Sequence, residues 1–181
     1  NPTRLLDLVN QLLDFRKTEK QGFQLNFVKC DVSELLQKTY KRFKPLARER
    51  GLALSIEASE SLYASVDREG LTKIISNLLT NAIKYSETYI HIKLYSEGDK
   101  LLLSVCNDGL VIPAEIREEI FKPFIQYKTG TLHSVPGTGI GLALARSLAE
   151  FHEGTLCMED SMEDNCFLLS LPLRHEQTVV V

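Results

Sequence analysis

The chain has 181 residues, of which 44% are apolar and 25% charged, with a formal net charge of −3. This is the make-up of a folded, soluble class of protein, long enough for one domain with a proper core plus an appendage. The lack of a basic surplus argues against nucleic acid as the main partner, and no apolar run approaches the ~18 residues that a membrane span requires.

The opening residues, NPTRLLDLVNQLLDFRKTEK, are amphipathic and do not resemble an apolar leader. Leu5, Leu8, Leu12 and Phe15 recur at helical spacing, and Leu6, Val9 and Leu13 broaden the stripe, which predicts a helix over residues 3–17 that ends by Gly22. Because the pattern starts almost at residue 1, it reads either as a piece of a longer helical element or as a helix packed on its own domain. Residues 24–29 alternate as a short strand. Asp31 and Glu34 then form a capping-box pattern that opens a helix running to Gly51, with a kink expected at Pro45. Residues 52–57 and 62–66 read as strands, and Asp67 opens a long helix reaching about Tyr85. Residues 89–95 and 100–106 alternate around Ser96-Glu-Gly-Asp99 as a hairpin. A loop follows over 107–113, then a short helix over 115–120 and a polar segment, 126–136, expected to be mobile. After the glycine run a helix extends to about His152. Residues 155–159 and 166–171 form a last hairpin, and 175–181 read as a tail. The mixture of helices and hairpins predicts an α+β fold, a two-layer sandwich with a mixed sheet and helices on one face. The four cysteines, Cys30, Cys106, Cys157 and Cys166, form no C-x-x-C pair and lie in or beside strand-like segments, so reduced thiols are expected.

Three local patterns carry chemistry. In the helix LTKIISNLLTNAIKY (residues 71–85), Leu71, Ile74, Ile75, Leu78, Leu79 and Ala82 make one apolar face. A second stripe, Lys73, Asn77, Asn81 and Lys84, lies roughly 140° from the centre of the first. Asparagine is a poor choice for a plain solvated helix face. Two carboxamides stacked at i and i+4 offer oxygens to a hard cation, and a lysine one turn on can reach a phosphate. The plainer reading is two polar residues stacked on a surface. The strand ending at Cys106 runs into Asn107-Asp108-Gly109-Leu-Val-Ile-Pro113, either a simple turn or an acceptor at the mouth of a pocket followed by backbone that can pass close to a flat ring. Gly137-Thr-Gly139-Ile-Gly141 leads directly into a helix. It matches neither the P-loop nor the dinucleotide fingerprint. Bare amides at a helix start suit a polyphosphate, and close helix–sheet packing is the alternative.

Taken in order, these motifs resemble the catalytic and ATP-binding domain of sensor histidine kinases, within the ATPase superfamily shared with gyrase, Hsp90 and MutL. The resemblance covers residues 27–173 and rests on four boxes. Asn77-x-x-x-Asn81-x-x-Lys84-Tyr85 matches the N box, and Asn107-Asp108-Gly109 with Ile112-Pro113 the first glycine box. Phe121-Lys-Pro-Phe124 matches the F box, and Gly137-x-Gly139-x-Gly141 the second glycine box. It implies Mg²⁺ on Asn81 and Asn77, phosphate near Lys84, and Tyr85 bordering the nucleotide. The base would be met by Asn107, beside Gly109 and Ile112. Residues 125–136 would form a lid anchored by Phe121 and Phe124, with Lys128 as a lid contact to phosphate. The phosphates would lie against Gly137, Thr138, Gly139, Ile140, Gly141 and Leu142. Two positions depart from the family. Asn107 replaces a usual aspartate, although its oxygen still accepts a hydrogen bond, and Val111 replaces a common glycine.

On this resemblance, residues 1–22 are the end of a dimerisation helix, 23–174 the ATP-binding catalytic domain, and 175–181 a tail. The implied function is transfer of the γ-phosphoryl of Mg·ATP to a histidine upstream of residue 1, on the chain's own dimerisation bundle. A response-regulator receiver domain would be the next partner, the full-length protein would be a homodimer, and this chain would lie in the cytoplasm. The chain alone is expected not to autophosphorylate, since His91, His133, His152 and His175 all read as ordinary surface or lid residues. Lys73 stands where hydrolytic relatives carry a water-activating glutamate, which disfavours hydrolysis. Asn107 and Val111 motivate a second reading, a degenerate nucleotide-sensing or non-binding regulatory module of the same fold.

Overall fold

The computed structural model describes residues 2–134 and 139–174. Its elements are α1 (Pro2–Glu19), β1 (Val28–Asp31), α2 (Val32–Glu49), β2 (Ala53–Ala58), β3 (Tyr63–Val66), α3 (Arg68–Tyr85), β4 (Tyr89–Glu97) and β5 (Lys100–Asn107). They continue with β6 (Ile125–Lys128), β7 (Thr131–Ser134), α4 (Gly141–Phe151), β8 (Thr155–Met158) and β9 (Asn165–Pro172). The main sheet has the order β2-β4-β5-β9-β8. β2 runs parallel to β4 and every other neighbour is antiparallel, so the sheet is mixed. The α+β sandwich expected from the sequence is the observed fold.

The core lies between this sheet and the helices. From α3, Leu71, Ile74, Ile75, Leu78 and Leu79 are fully buried, and they meet Ile90, Ile92, Leu101, Leu103, Val105, Leu169 and Leu171 of the sheet. Removing each such side chain from water stabilises the fold by roughly 1.5–3 kcal/mol. The helix starts are set by aspartates. Asp31 Oδ1 accepts from the Ser33 and Glu34 N–H groups, and Asp67 Oδ1 accepts from Gly70 N–H at 2.7 Å. Glu34 turns outward to Lys38 at 3.1 Å and does not reach back to close the expected box. α2 continues through Pro45.

Several elements differ from expectation. The first strand is β1, later than residues 24–29, because its partner is β3 and that register begins at Val28 opposite Val66. The helix expected over 115–120 is instead two 3₁₀ turns, Ala114–Ile116 and Glu119–Phe121. In the polar segment 126–136, β6 and β7 pair as a hairpin. Its turn uses positive φ at Thr129 (50°) and Gly130 (83°), the twist-compatible geometry for two-residue hairpins. Residues 135–138 and the 175–181 tail, which includes His175, lie outside the described residues.

The thiol expectation is also corrected. Antiparallel pairing sets Cys106 opposite Cys166, and the two form a disulfide across β5 and β9. Cys30 and Cys157 are free, and burial pushes both thiols up from the ordinary cysteine value. The bridge joins positions 60 residues apart, so a search for local cysteine pairs cannot detect it.

His152 is fully buried, not a surface residue. Its Nδ1–H donates to Leu148 O at 2.7 Å, and its Nε2 accepts from Asp67 N–H at 3.1 Å. One neutral ring therefore ties the end of α4 to the start of α3. Replacing His152 with Ala strands the Asp67 donor and is expected to lower unfolding stability by about 1–3 kcal/mol. Urea unfolding with an unchanged slope is the check. A loss below about 0.5 kcal/mol would rule out the tie.

Candidate functional site

Two adjoining cavities open between α3, α4, the loop after β5 and the β6–β7 hairpin. The larger, about 360 Å³, is lined by Asn81, Tyr85, Asn107, Ile112, Ile120, Gln126, Lys128, Leu142, Asn165 and Phe167, among others. The second, about 290 Å³, is lined by Asn77, Asn81, Lys84, Tyr85, Gly139, Gly141 and Leu142, with Asp7, Leu8 and Gln11 of α1. Asn81, Tyr85, Ile120, Ile125, Gln126 and Leu142 border both, so the two are compartments of one cleft.

The i and i+4 spacing on α3 brings Asn77 and Asn81 onto the second compartment together. Facing them is the start of α4. Its N-cap, Ile140, provides no side-chain hydrogen bond, so the first N–H groups of the helix have no side-chain acceptor there. Gly141 presents its missing side chain to Asn77, since a Cβ there would sit 3.5 Å from Asn77 Oδ1. Gly139 holds a φ of +76°, a conformation that favours glycine, and its carbonyl accepts Phe124 N–H at 3.1 Å. Lys84 borders this compartment and stands 5.3 Å from the Tyr85 ring centre. Burial raises the Tyr85 hydroxyl above its ordinary pKa.

The loop after β5 is fastened from two sides. Asp108 accepts from the N–H groups of Glu87, Thr88 and Tyr89 and from the Thr88 hydroxyl. Burial opposes the charged carboxyl, but these donors outweigh it and hold Asp108 well below the usual carboxylate range. Asn165, opposite Asn107 in the β5–β9 register, donates to Leu110 O at 2.8 Å and accepts from Ile112 N–H at 2.9 Å. Gly109 presses against the Tyr85 carbonyl, where any Cβ would collide. Asn107, only 2% exposed, is left to border the larger compartment, and its Nδ2 has no hydrogen-bond partner among the described residues.

Not every expected residue borders the cleft. Ile140 is 2% exposed and belongs to the core. Gly109 serves the contact with Tyr85. Phe124 packs partly buried at the hairpin base with a φ of 67°, and Phe121 is buried, with Arg146 4.3 Å from its ring centre. Lys128 borders the larger compartment, which it shares with Asn107 and Asn81 but not with Asn77. Gly137 and Thr138 lie outside the described residues. Gln126, Asn165, Gln11 and Asp7 are among the lining side chains that the sequence reading did not single out. Gln11 Nε2 donates to Asn77 Oδ1 at 3.0 Å, a contact between residues 66 apart that no local pattern announces. Asp7 is the one acidic side chain bordering either compartment among the described residues. Lys73 faces away, bridging Asp14 (3.1 Å) and Glu69 (3.0 Å). Burial works against its ammonium, but hydrogen bonds to Glu69 and Asp14 prevail and raise its pKa.

A cleft joining stacked carboxamides, an uncapped helix start and a buried amide defines a nucleotide-binding class of fold. Residues 66–175 match the family described as histidine kinase-, DNA gyrase B- and HSP90-like ATPase, and the chain belongs to that family. Within it, the chain is an ATP-binding domain of the sensor histidine kinase type. It is 33% identical over 178 residues to the sensor histidine kinase TmoS of Ectopseudomonas mendocina, covering 96% of this chain and 18% of that protein. It is 30% identical over 177 residues to the alginate biosynthesis sensor protein KinB of Pseudomonas aeruginosa, covering 94% and 29%. The chain thus spans less than a third of the length of these relatives. Among solved structures it is similar to the catalytic domain of the histidine kinase ThkA, with a TM-score of 0.73, 28% identity, and 83% and 97% of the two chains covered. It is also similar to full-length ShkA in complex with AMPPNP, with a TM-score of 0.81, 25% identity, and 93% and 36% covered.

Asp108 sets a pH dependence. Its folded pKa lies below the unfolded value of about 3.9, so its contribution is complete above that pH and is lost as pH falls toward the folded value. Between about pH 5 and pH 2 the native chain is expected to lose stability more steeply than Asp108→Asn. Parallel urea-unfolding profiles for the two proteins would disprove it.

Proposed function

We propose that this chain binds Mg·ATP in the two-compartment cleft and, within a longer protein, donates the γ-phosphoryl group to a histidine on a dimerisation bundle of which α1 is the end. The observation that carries this reading is that Asn77, Asn81, Gly141 and Leu142 border one compartment. The triphosphate lies there, against the N–H groups that open α4, whose partial positive charge favours an anion. Lys84 adds a full charge at the same end. Asn81 and Asn77 supply neutral oxygens for Mg²⁺, which when bound neutralises charge developing on the transferred group. Asn77 Oδ1 already accepts from Gln11, and its second lone pair is the one a cation would take. The base occupies the other compartment, beside Asn107, with Tyr85 and Ile112 along its walls. The β6–β7 hairpin covers the cleft, and Gln126 borders both ends.

The α3 residues favour transfer over hydrolysis. A water-activating base would need a carboxylate near the phosphates, and the position that could carry one on α3 is Lys73, held as a cation in a separate hollow with Asp14 and Glu69; the acidic side chain that does border that compartment, Asp7, comes from α1. A response-regulator receiver domain is the expected acceptor after the histidine, as ThkA is known in complex with the response regulator TrrA. No helix among the described residues is long and apolar enough to cross a membrane, and we place this domain on the cytosolic side of its sensor.

Asn81→Ala is expected to weaken Mg·ATP binding at least ~10-fold in calorimetry, with chelation of Mg²⁺ producing a similar loss in the native chain. Unchanged affinity would remove Asn81 from the site. With radiolabelled ATP, the 181-residue chain should acquire no label alone and should label a supplied histidine-bearing bundle. Label on the isolated chain would overturn the assignment of the acceptor.

A further inference from the structure

The larger compartment is bordered by a buried amide whose nitrogen no described residue engages. Asn107 is 2% exposed and borders the larger compartment. Its Nδ2 has no acceptor among the described residues. The contrast with Asn165, its partner across β5 and β9, is direct. Asn165 is locked at both ends, donating to Leu110 O and accepting from Ile112 N–H. Asp108, the neighbouring carboxylate, is consumed by Glu87, Thr88 and Tyr89. No carboxylate borders this compartment among the described residues.

A carboxamide carries a donor and an acceptor on one planar group, and the two exchange places by a half-turn about the last bond. That half-turn costs Asn107 no hydrogen bond from its nitrogen. A carboxylate at the same place would only accept. It would welcome an amino group on the base and repel a carbonyl. With its oxygen toward the ligand, Asn107 meets a 6-amino group but leaves its own N–H₂ desolvated and unpaired. With its N–H₂ toward the ligand, it meets a 6-oxo group and turns its oxygen into the buried place the N–H₂ left, so the unpaired group becomes an acceptor. A buried donor or acceptor without a partner is unfavourable in either case, and an under-satisfied carbonyl oxygen is the better tolerated of the two, so the second arrangement is no worse than the first. Building on the assignment of this cleft to a nucleoside triphosphate, we infer that Asn107 makes the base compartment tolerant at purine position 6. The chain thus accepts 6-oxopurine nucleoside triphosphates as well as ATP.

The test is calorimetric titration of the native chain with the Mg²⁺ complexes of ATP, inosine triphosphate and purine riboside triphosphate, which present an amino group, a carbonyl and a bare hydrogen at position 6. Inosine triphosphate is expected to bind within ~10-fold of ATP, and purine riboside triphosphate about 10-fold more weakly than either, the scale of one lost buried hydrogen bond. In Asn107→Asp, ATP binding should persist while inosine triphosphate falls by at least ~10-fold relative to ATP. If the native chain binds ATP but inosine triphosphate is ~100-fold weaker, or if purine riboside triphosphate equals ATP, the inference fails and the nucleotide site stands. Equal inosine triphosphate binding by a folded Asn107→Asp protein removes Asn107 as the reader. Failure of all three nucleotides to bind overturns the nucleotide site and this inference together. The native-chain titrations decide the matter even if the variant does not fold.

Discussion

The site depends on the seam between the end of α3 and the loop after β5. Asp108 collects the N–H groups of residues 87–89 as the chain leaves the helix, and Gly109 lies so close to the Tyr85 carbonyl that no side chain fits between them. A carboxylate accepting several backbone N–H groups is among the stronger neutral-to-charged arrangements available to a protein. Its effect here is geometric. It sets Asn107, at the end of a central strand, beside Asn81 and Tyr85 on α3, so the two compartments of the cleft share one framework. Asn165 secures the far side of the same loop from β9. The strand register thus positions functional groups as well as forming the sheet.

Much of this was legible in the chain because the signals are local. The period of apolar residues in 71–85 marks α3 and its buried face, and the asparagine stripe on its other side marks the cleft. Asp31 and Asp67 announce helix starts through hydrogen bonds to residues two or three positions on. The hairpins declare themselves by alternation around short turns. What could not be read was made by long-range pairing. His152 appears to be an ordinary residue at a helix end until α4 is laid beside the start of α3. Cys106 meets Cys166, and Asn107 faces Asn165, only once β5 and β9 are in register. The register of β1 with β3 decides where the first strand begins, which the alternation of residues 24–29 cannot. The hairpin in the polar segment was missed because its turn, Thr129-Gly130, draws stability from backbone geometry and not from an apolar pattern.

The charge distribution of the cleft follows the same division. The compartment bordered by Asn77 and Asn81 combines a lysine, an uncapped helix start and two neutral amides, a lining that suits an anion although the chain as a whole is net negative. Among the described residues the single carboxylate there, Asp7, arrives on α1 and not on α3 or α4. Lys73, which shares a stripe with the asparagines in sequence, is drawn off by Asp14 and Glu69 and serves to attach α1. One helix face thereby divides between lining the cleft and holding a neighbouring helix.

That division has a thermodynamic consequence. The Gln11 amide takes one lone pair of the Asn77 oxygen, so a ligand that turns that oxygen out of line with Gln11 competes with the docking of α1. Competition of this kind is mutual: if undocking α1 tightens the ligand by some factor, the ligand loosens α1 by the same factor. A twist or shift of α1 would therefore register as a change in affinity tens of residues away, and a filled cleft would push back on the same rod.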